Sequence, residues 1–224
     1  MSTGEQLALD LPHRTAFGRD AFLVAACNAD AVAWVDRWPD WPSGALAVYG
    51  PAGCGKTHLA TVWQARADAR LVAAQDLAAP DDVAGAGAVV VDGADAGVPD
   101  AAFKAFLDLH RARGGSVMLT ARVAPGQWAV ALPDLASRLR ALPAVAILPP
   151  DAGLLAAVLV KHCADRQLVV PPEVVAYVVS RIERTFEATR TVVAALDSAG
   201  LRESRAITIA LVRRVLAGLG ASAG

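Results

Sequence analysis

Eight consecutive residues carry the strongest chemical signal in the chain: Gly50-Pro51-Ala52-Gly53-Cys54-Gly55-Lys56-Thr57. They fit the phosphate-loop pattern G-x-x-x-x-G-K-[ST]. Glycines let the backbone bend until its N–H groups point at phosphate oxygens, and a helix N-terminus adds the positive end of its dipole. Lys56 has the charge and reach for β- and γ-phosphates, and the Thr57 hydroxyl suits Mg²⁺. His58 comes next and is grouped with the loop, although its type also fits the surface of the following helix. Cys54 fills a variable position and is given no catalytic part.

A nucleotide site of this kind needs an acidic residue at the end of a second apolar strand. Ala88-Val89-Val90-Val91-Asp92 supplies one, and Asp92 is expected to hold Mg²⁺ through water. Many ATPases carry a second acid at the next position to orient the attacking water. Here that position is Gly93, and Asp95 stands three places past Asp92. The departure argues for weak intrinsic hydrolysis and for ADP or ATP kept as a structural part.

Such a loop has to sit between a buried strand and a helix. Ala45–Tyr49 is a short apolar run before the loop, and Lys56–Asp68 reads as the helix after it. Further strand-like runs lie at Leu71–Ala73, Ala88–Val91, Val117–Thr120 and Val145–Leu148, and helical stretches include Asp30–Trp38 and Asp100–Arg111. Apolar runs without alternation suit parallel strands covered on both faces. Five of them alternating with helices imply an α/β domain with a five-stranded parallel sheet. After Pro149-Pro150 the pattern changes to four amphipathic stretches: Asp151–Arg166, Pro171–Arg181, Phe186–Ala199 and Thr208–Leu219. Pro171, Pro172 and Gly200 mark expected helix boundaries. The expected organisation is an extended tail over 1–15, an α/β nucleotide-binding domain over 16–150 and a small all-helical domain over 151–224.

Composition narrows the classes. The 224 residues hold 21 Lys+Arg against 22 Asp+Glu, for a net charge of −1. That length suits one α/β domain plus a small second one. The balance lacks the basic footprint of a nucleic-acid binder. Alanine, at 50 residues, makes up much of the 55% hydrophobic content. No apolar run reaches the ~18 residues of a membrane span. Met1–Leu11 has no basic segment and does not read as a secretory signal. Three cysteines form no CxxC, and four scattered histidines show no metal-ligand spacing. The plain reading is a cytoplasmic protein. The five tryptophans, 34, 38, 41, 63 and 128, read as core and loop anchors.

A phosphate loop, an acidic strand, a polar residue ending a fourth strand, an Arg before the fifth and a helical lid together resemble the AAA+ pattern. The details resemble the DnaA family, and within it the short Hda-type inactivators of DnaA. Val117-Met118-Leu119-Thr120-Ala121-Arg122 resembles the sensor I strand, with Thr120 in the polar position. Asp134-Leu135-Ala136-Ser137-Arg138-Leu139 resembles the box VII segment, and the resemblance gives Arg138 the role of an arginine finger acting in trans. Arg184-Thr185-Phe186-Glu187 resembles the start of the sensor II helix, which the resemblance ends at Ala195-Leu196-Asp197. It implies that Arg184 contacts the nucleotide, with Arg190 as fallback. Phe17, Gly18 and Asn28 fall where the family's adenine-side segment lies.

Gln6-Leu7-Ala8-Leu9-Asp10-Leu11 resembles the peptide by which Hda-type proteins bind the DNA polymerase sliding clamp. Leu7, Leu9 and Leu11 alternate, so they share one side of an extended segment, and Gln6 can serve a pocket rim. The resemblance therefore implies a negative regulator of replication initiation. Holding ADP or ATP with Mg²⁺, it would dock on the DNA-loaded clamp and stimulate hydrolysis of DnaA-bound ATP. A homo-oligomer is among the assemblies it allows. No counterpart of the DNA-reading domain of DnaA follows the lid, so no sequence-specific DNA binding is expected. A DnaA-like helicase loader and a nucleotide-stabilised adaptor are the alternative readings.

Overall fold

The computed structural model describes residues 22–77, 85–203 and 207–221. The chain divides after Pro149 into two compact units. The first carries β1 (Ala45–Tyr49), β2 (Arg70–Ala73), β3 (Ala88–Asp92), β4 (Ser116–Ala121) and β5 (Ala144–Ala146). Its helices are α1 (Ala29–Asp36), α2 (Lys56–Ala67), α3 (Asp100–Ala112) and α4 (Pro133–Ala141). The strands form one sheet of order β2-β3-β4-β1-β5, and every pairing is parallel. This is the expected five-stranded parallel sheet.

Strand residues alternate between two cores, which explains why the strands are apolar throughout. Leu46, Val48, Val90, Met118 and Val145 pack with Val32 and Val35 of α1 and with Leu59 and Trp63 of α2. Ala47, Val89, Val91, Val117 and Leu119 pack with Phe103 and Phe106 of α3 and Leu135 and Leu139 of α4. Trp63 is fully buried. It stacks on Trp41 at 4.9 Å and meets Trp38 edge-on at 6.1 Å. The Trp41 indole donates to the Trp34 carbonyl at 2.7 Å, and that of Trp38 donates to Ser116. These four tryptophans are anchors of this unit, as their types suggested.

The second unit holds α5 (Ala152–Ala164), α6 (Pro172–Val179), α7 (Phe186–Glu203) and α8 (Ile209–Ala221). Its core joins Leu159 and Cys163 to Val174, Val175 and Val178, to Val192, Val193 and Leu196, and to Leu211 and Val212. Asp151 caps α5, its carboxylate accepting from the Leu154 N–H at 2.7 Å. Thr185 caps α7 by accepting from the Ala188 N–H at 3.1 Å. Both are the short oxygen-bearing side chains that satisfy otherwise unpaired N–H groups at a helix start.

Several boundaries differ from expectation. α1 stops at Asp36 rather than running to Trp38. β5 stops at Ala146, because the Leu148 N–H is taken by the Cys27 carbonyl of the loop before α1. α7 continues through Gly200 to Glu203 and so extends past Asp197. An interior glycine weakens a helix by only ~1 kcal/mol. The burial of Val192, Val193 and Leu196 on the same helix outweighs that.

Candidate functional site

The phosphate loop connects β1 to α2 and begins with a glycine that has no room for a side chain. Gly50 has φ +154°, and a Cβ there would lie 2.1 Å from the Ile147 carbonyl oxygen. The contact puts the loop's first residue against the chain leaving β5. Gly55 precedes α2 with φ +103°, a left-handed conformation that glycine adopts without strain. The backbone N–H groups of Gly53, Gly55, Lys56 and Thr57 meet no backbone carbonyl among the described residues. They are concentrated at the start of a 12-residue helix, the arrangement that attracts anions.

Lys56 curls back over this loop. Its ammonium donates to the Gly50 carbonyl at 2.7 Å and the Pro51 carbonyl at 2.8 Å. It also lies 3.8 Å from the Cys54 sulfur. Cys54 is buried, and that burial pushes its thiol up, with Lys56 opposing. A protonated, inaccessible thiol is a poor nucleophile, so the structure gives Cys54 a packing role.

Three adjacent strands deliver the remaining groups. β4 lies between β3 and β1, and its Thr120 pairs in register with Val48. Thr120 is buried. Its hydroxyl donates to Asp92 Oδ1 and accepts from the Gly93 N–H at 3.0 Å. The Thr57 hydroxyl lies 3.5 Å from the same Asp92 oxygen. Thr57, Asp92 and Thr120 are therefore gathered at the carboxyl ends of the strands, where open parallel sheets bind ligands. Gly93 turns the chain with φ +72°, and Asp95 beyond it accepts the Arg122 N–H at 2.8 Å. Asp95 is thus engaged by the turn after β4.

The donor set fits a nucleoside phosphate with Mg²⁺. It offers N–H groups that meet no backbone carbonyl and an ammonium for phosphate oxygens, and a hydroxyl and a carboxylate for the metal. Bound Mg²⁺ would neutralise phosphate charge there. His58 is exposed on α2, and its ring lies 5.2 Å from that of Phe22. Asn28 is buried. Its Oδ1 accepts from the Ala25 N–H at 2.8 Å and its Nδ2 donates to the Leu23 carbonyl at 3.0 Å. Both polar groups of Asn28 thus serve the turn before α1. Phe17, Gly18 and the segment bearing Gln6, Leu7, Leu9 and Leu11 lie outside the described residues.

Arg138 stands apart from this group. It lies in the last turn of α4, and its charged partners are Asp108 and Asp134. Arg140 is exposed. Lys104 reaches the same two carboxylates at 2.9 and 3.3 Å. The Lys104 ammonium, with Arg138 adding to it, holds the Asp108 carboxyl below the usual carboxylate range. This cluster was missed in the sequence. Lys104–Asp108 and Asp134–Arg138 are visible there as pairs four residues apart, but their joining across α3 and α4 is a product of packing. In the helical unit, Arg184 is exposed beside the α7 cap, and Arg190 is exposed on α7.

Known proteins define the fold class. Domain III of the replication initiation protein DnaA from Thermotoga maritima superposes with a TM-score of 0.74 at 16% identity, covering 88% of this chain and 94% of that one. DnaA from Aquifex aeolicus, bound to AMPPCP, superposes at 0.70 with 15% identity, covering 81% and 65%. A replication initiator DnaA bound to AMPPCP and single-stranded DNA gives 0.69 with 16% identity, covering 82% and 66%. The chain thus spans about two thirds of those longer initiators. A sequence search of curated proteins gives no significant match. The architecture is the AAA+ fold of the DnaA type. Residues 152–216, nearly the whole helical unit, match the family model described as the Hda lid domain. The chain thus combines a DnaA-like AAA+ fold with a helical unit that matches the Hda lid.

Proposed function

We propose that this protein regulates DnaA-dependent replication initiation as a nucleotide-bound inactivator of DnaA. The observation that carries the reading is the Hda lid match on a DnaA-like AAA+ fold. The phosphate loop supports nucleotide binding: Gly50, Pro51, Ala52, Gly53, Cys54 and Gly55 supply its backbone, and Lys56 its charge. Thr57 and Asp92 would hold Mg²⁺, Thr120 orients Asp92, His58 flanks the loop, and Arg184 contributes from the lid. Gly93, together with an Asp95 already engaged at Arg122, leaves no second acid beside Asp92 to orient water. Turnover by the protein itself is then slow, and ADP suffices to hold its working form.

In this reading the chemistry occurs in DnaA. The segment Gln6–Leu11 docks on the DNA-loaded sliding clamp, and Arg138 is presented to ATP held by DnaA. An arginine is permanently charged and forked to match phosphate oxygens. Supplied in trans it accelerates hydrolysis ~10³–10⁵-fold in other nucleotide switches. The test separates the two roles. Arg138→Ala should abolish stimulation while nucleotide and clamp binding persist. Replacing Gln6 and Leu7 with Ala should abolish stimulation only where the clamp is required. Stimulation surviving Arg138→Ala would remove the finger, and strong DNA-stimulated turnover would favour a helicase loader.

A further inference from the structure

Arg138 is held at two points. Its Nε donates to Asp134 at 3.4 Å, one turn back on α4, and one terminal nitrogen donates to Asp108 on α3. Lys104 bridges the same carboxylates. Two cations and two carboxylates make a locally neutral cluster that ties α3 to α4. A guanidinium has five N–H donors. The carboxylates occupy one at Nε and one at a terminal nitrogen, leaving three. The side chain is 34% exposed, and Asp134 and Asp108 are the only acceptors bonded to it among the described residues.

A free arginine side chain loses rotamer freedom when it engages a phosphate, and a guanidinium fixed beforehand loses less. We propose that Asp108 and Asp134 are positioning residues: they hold Arg138 so that its unused N–H edge faces the phosphates of ATP bound in another protein. This inference rests on the reading of Arg138 as an arginine finger in trans. Lys104 keeps the carboxylate pair from leaving a net negative charge in front of an arriving triphosphate. A purely structural role has a different signature. Exposed ion pairs contribute little to stability, so their loss should leave the fold in place. Asp134, with 56% of its side chain exposed, falls in that class, while Asp108 is half-buried at 39% and its loss costs somewhat more.

The experiment is single-turnover hydrolysis of ATP pre-bound to DnaA, with clamp-loaded DNA present and this protein titrated. Wild type, Asp108→Asn, Asp108→Glu, Arg138→Ala and the Asp108→Asn/Arg138→Ala double variant are compared, each with its thermal midpoint. Asp108→Asn is expected to lower the saturating rate roughly 5–10-fold, the range set by freeing one held side chain. The half-saturating concentration should barely change and the midpoint should fall only slightly, and Asp108→Glu should recover most of the rate. In the Arg138→Ala background Asp108→Asn should have no further effect, because the two act through one group. An Asp108→Asn rate equal to or above wild type, with Arg138→Ala inactive, would overturn the positioning role and leave the finger standing. No acceleration by wild type would overturn both. Should Asp108→Asn fail to fold, Asp134→Asn makes the same comparison from the other carboxylate.

Discussion

Gly50→Ala is the substitution whose effect the structure sets most tightly. The added Cβ would stand 2.1 Å from the Ile147 carbonyl oxygen and 3.1 Å from the Cys54 sulfur. The first neighbour is backbone and cannot rotate away. It also belongs to a residue whose N–H donates to the Tyr49 carbonyl at 2.7 Å, so relief of the clash pulls on the β1–β5 pairing. Two penalties combine: a non-glycine residue at left-handed φ costs about 1–2 kcal/mol, and overpacking a tight site about 1–3 kcal/mol. A total near 3 kcal/mol should lower the midpoint of this unit by roughly 10 °C. All five tryptophans lie in the α/β unit, so intrinsic fluorescence reports its unfolding selectively. Gly93→Ala is the control. Gly93 also has positive φ, but nothing lies within 4 Å of its Cβ position, so only the conformational penalty of ~1–2 kcal/mol applies. The distorted loop should also bind a fluorescent ADP analogue at least tenfold more weakly, a loss of about 1.4 kcal/mol. Gly50→Ala melting and binding like wild type, or no worse than Gly93→Ala, would refute the reasoning.

Three further outcomes are expected. Lys56→Ala should lower affinity for the same analogue by about 100-fold or more, since each charge-assisted hydrogen bond is worth ~1.5–3 kcal/mol; circular dichroism should remain unchanged. Thr120→Val should destabilise the α/β unit by about 1–3 kcal/mol in urea, because it removes the hydroxyl that accepts from the Gly93 N–H. His110 is buried against Phe106, and burial holds its pKa below the ordinary value of 6.5. The unfolded chain therefore takes up the proton first, so stability is full above about pH 6.5 and falls as the pH drops below it. His110→Gln should flatten that fall between pH 7 and 5. Part of the slope should remain, because burial also lowers the pKa of His162.

The nucleotide site was legible because its chemistry is local. A loop of eight residues and one acid ending an apolar run depend on backbone geometry and on a strand's last position. Both leave marks in the sequence. Thr120 was legible for the same reason, although its two-sided bond to Asp92 and Gly93 shows only once β4 is seen between β3 and β1. The Asp108–Arg138 link was not legible. It joins helices 30 residues apart in the chain, and nothing in either helix states which face meets the other. Boundaries failed where tertiary bonding overrode local preference. Leu148 reads as strand, yet its N–H leaves the sheet for Cys27. Gly200 reads as a stop, yet α7 carries enough buried apolar surface to run past it.

In the proposed function the chemistry takes place in the partner's site. This is tested most directly by following radiolabelled ATP pre-bound to DnaA through a single turnover. This protein is added in its ADP form with clamp loaded on DNA, and each component is omitted in turn. Rapid hydrolysis is expected only when this protein and the loaded clamp are both present. Unchanged hydrolysis with the protein folded and nucleotide-bound would contradict it.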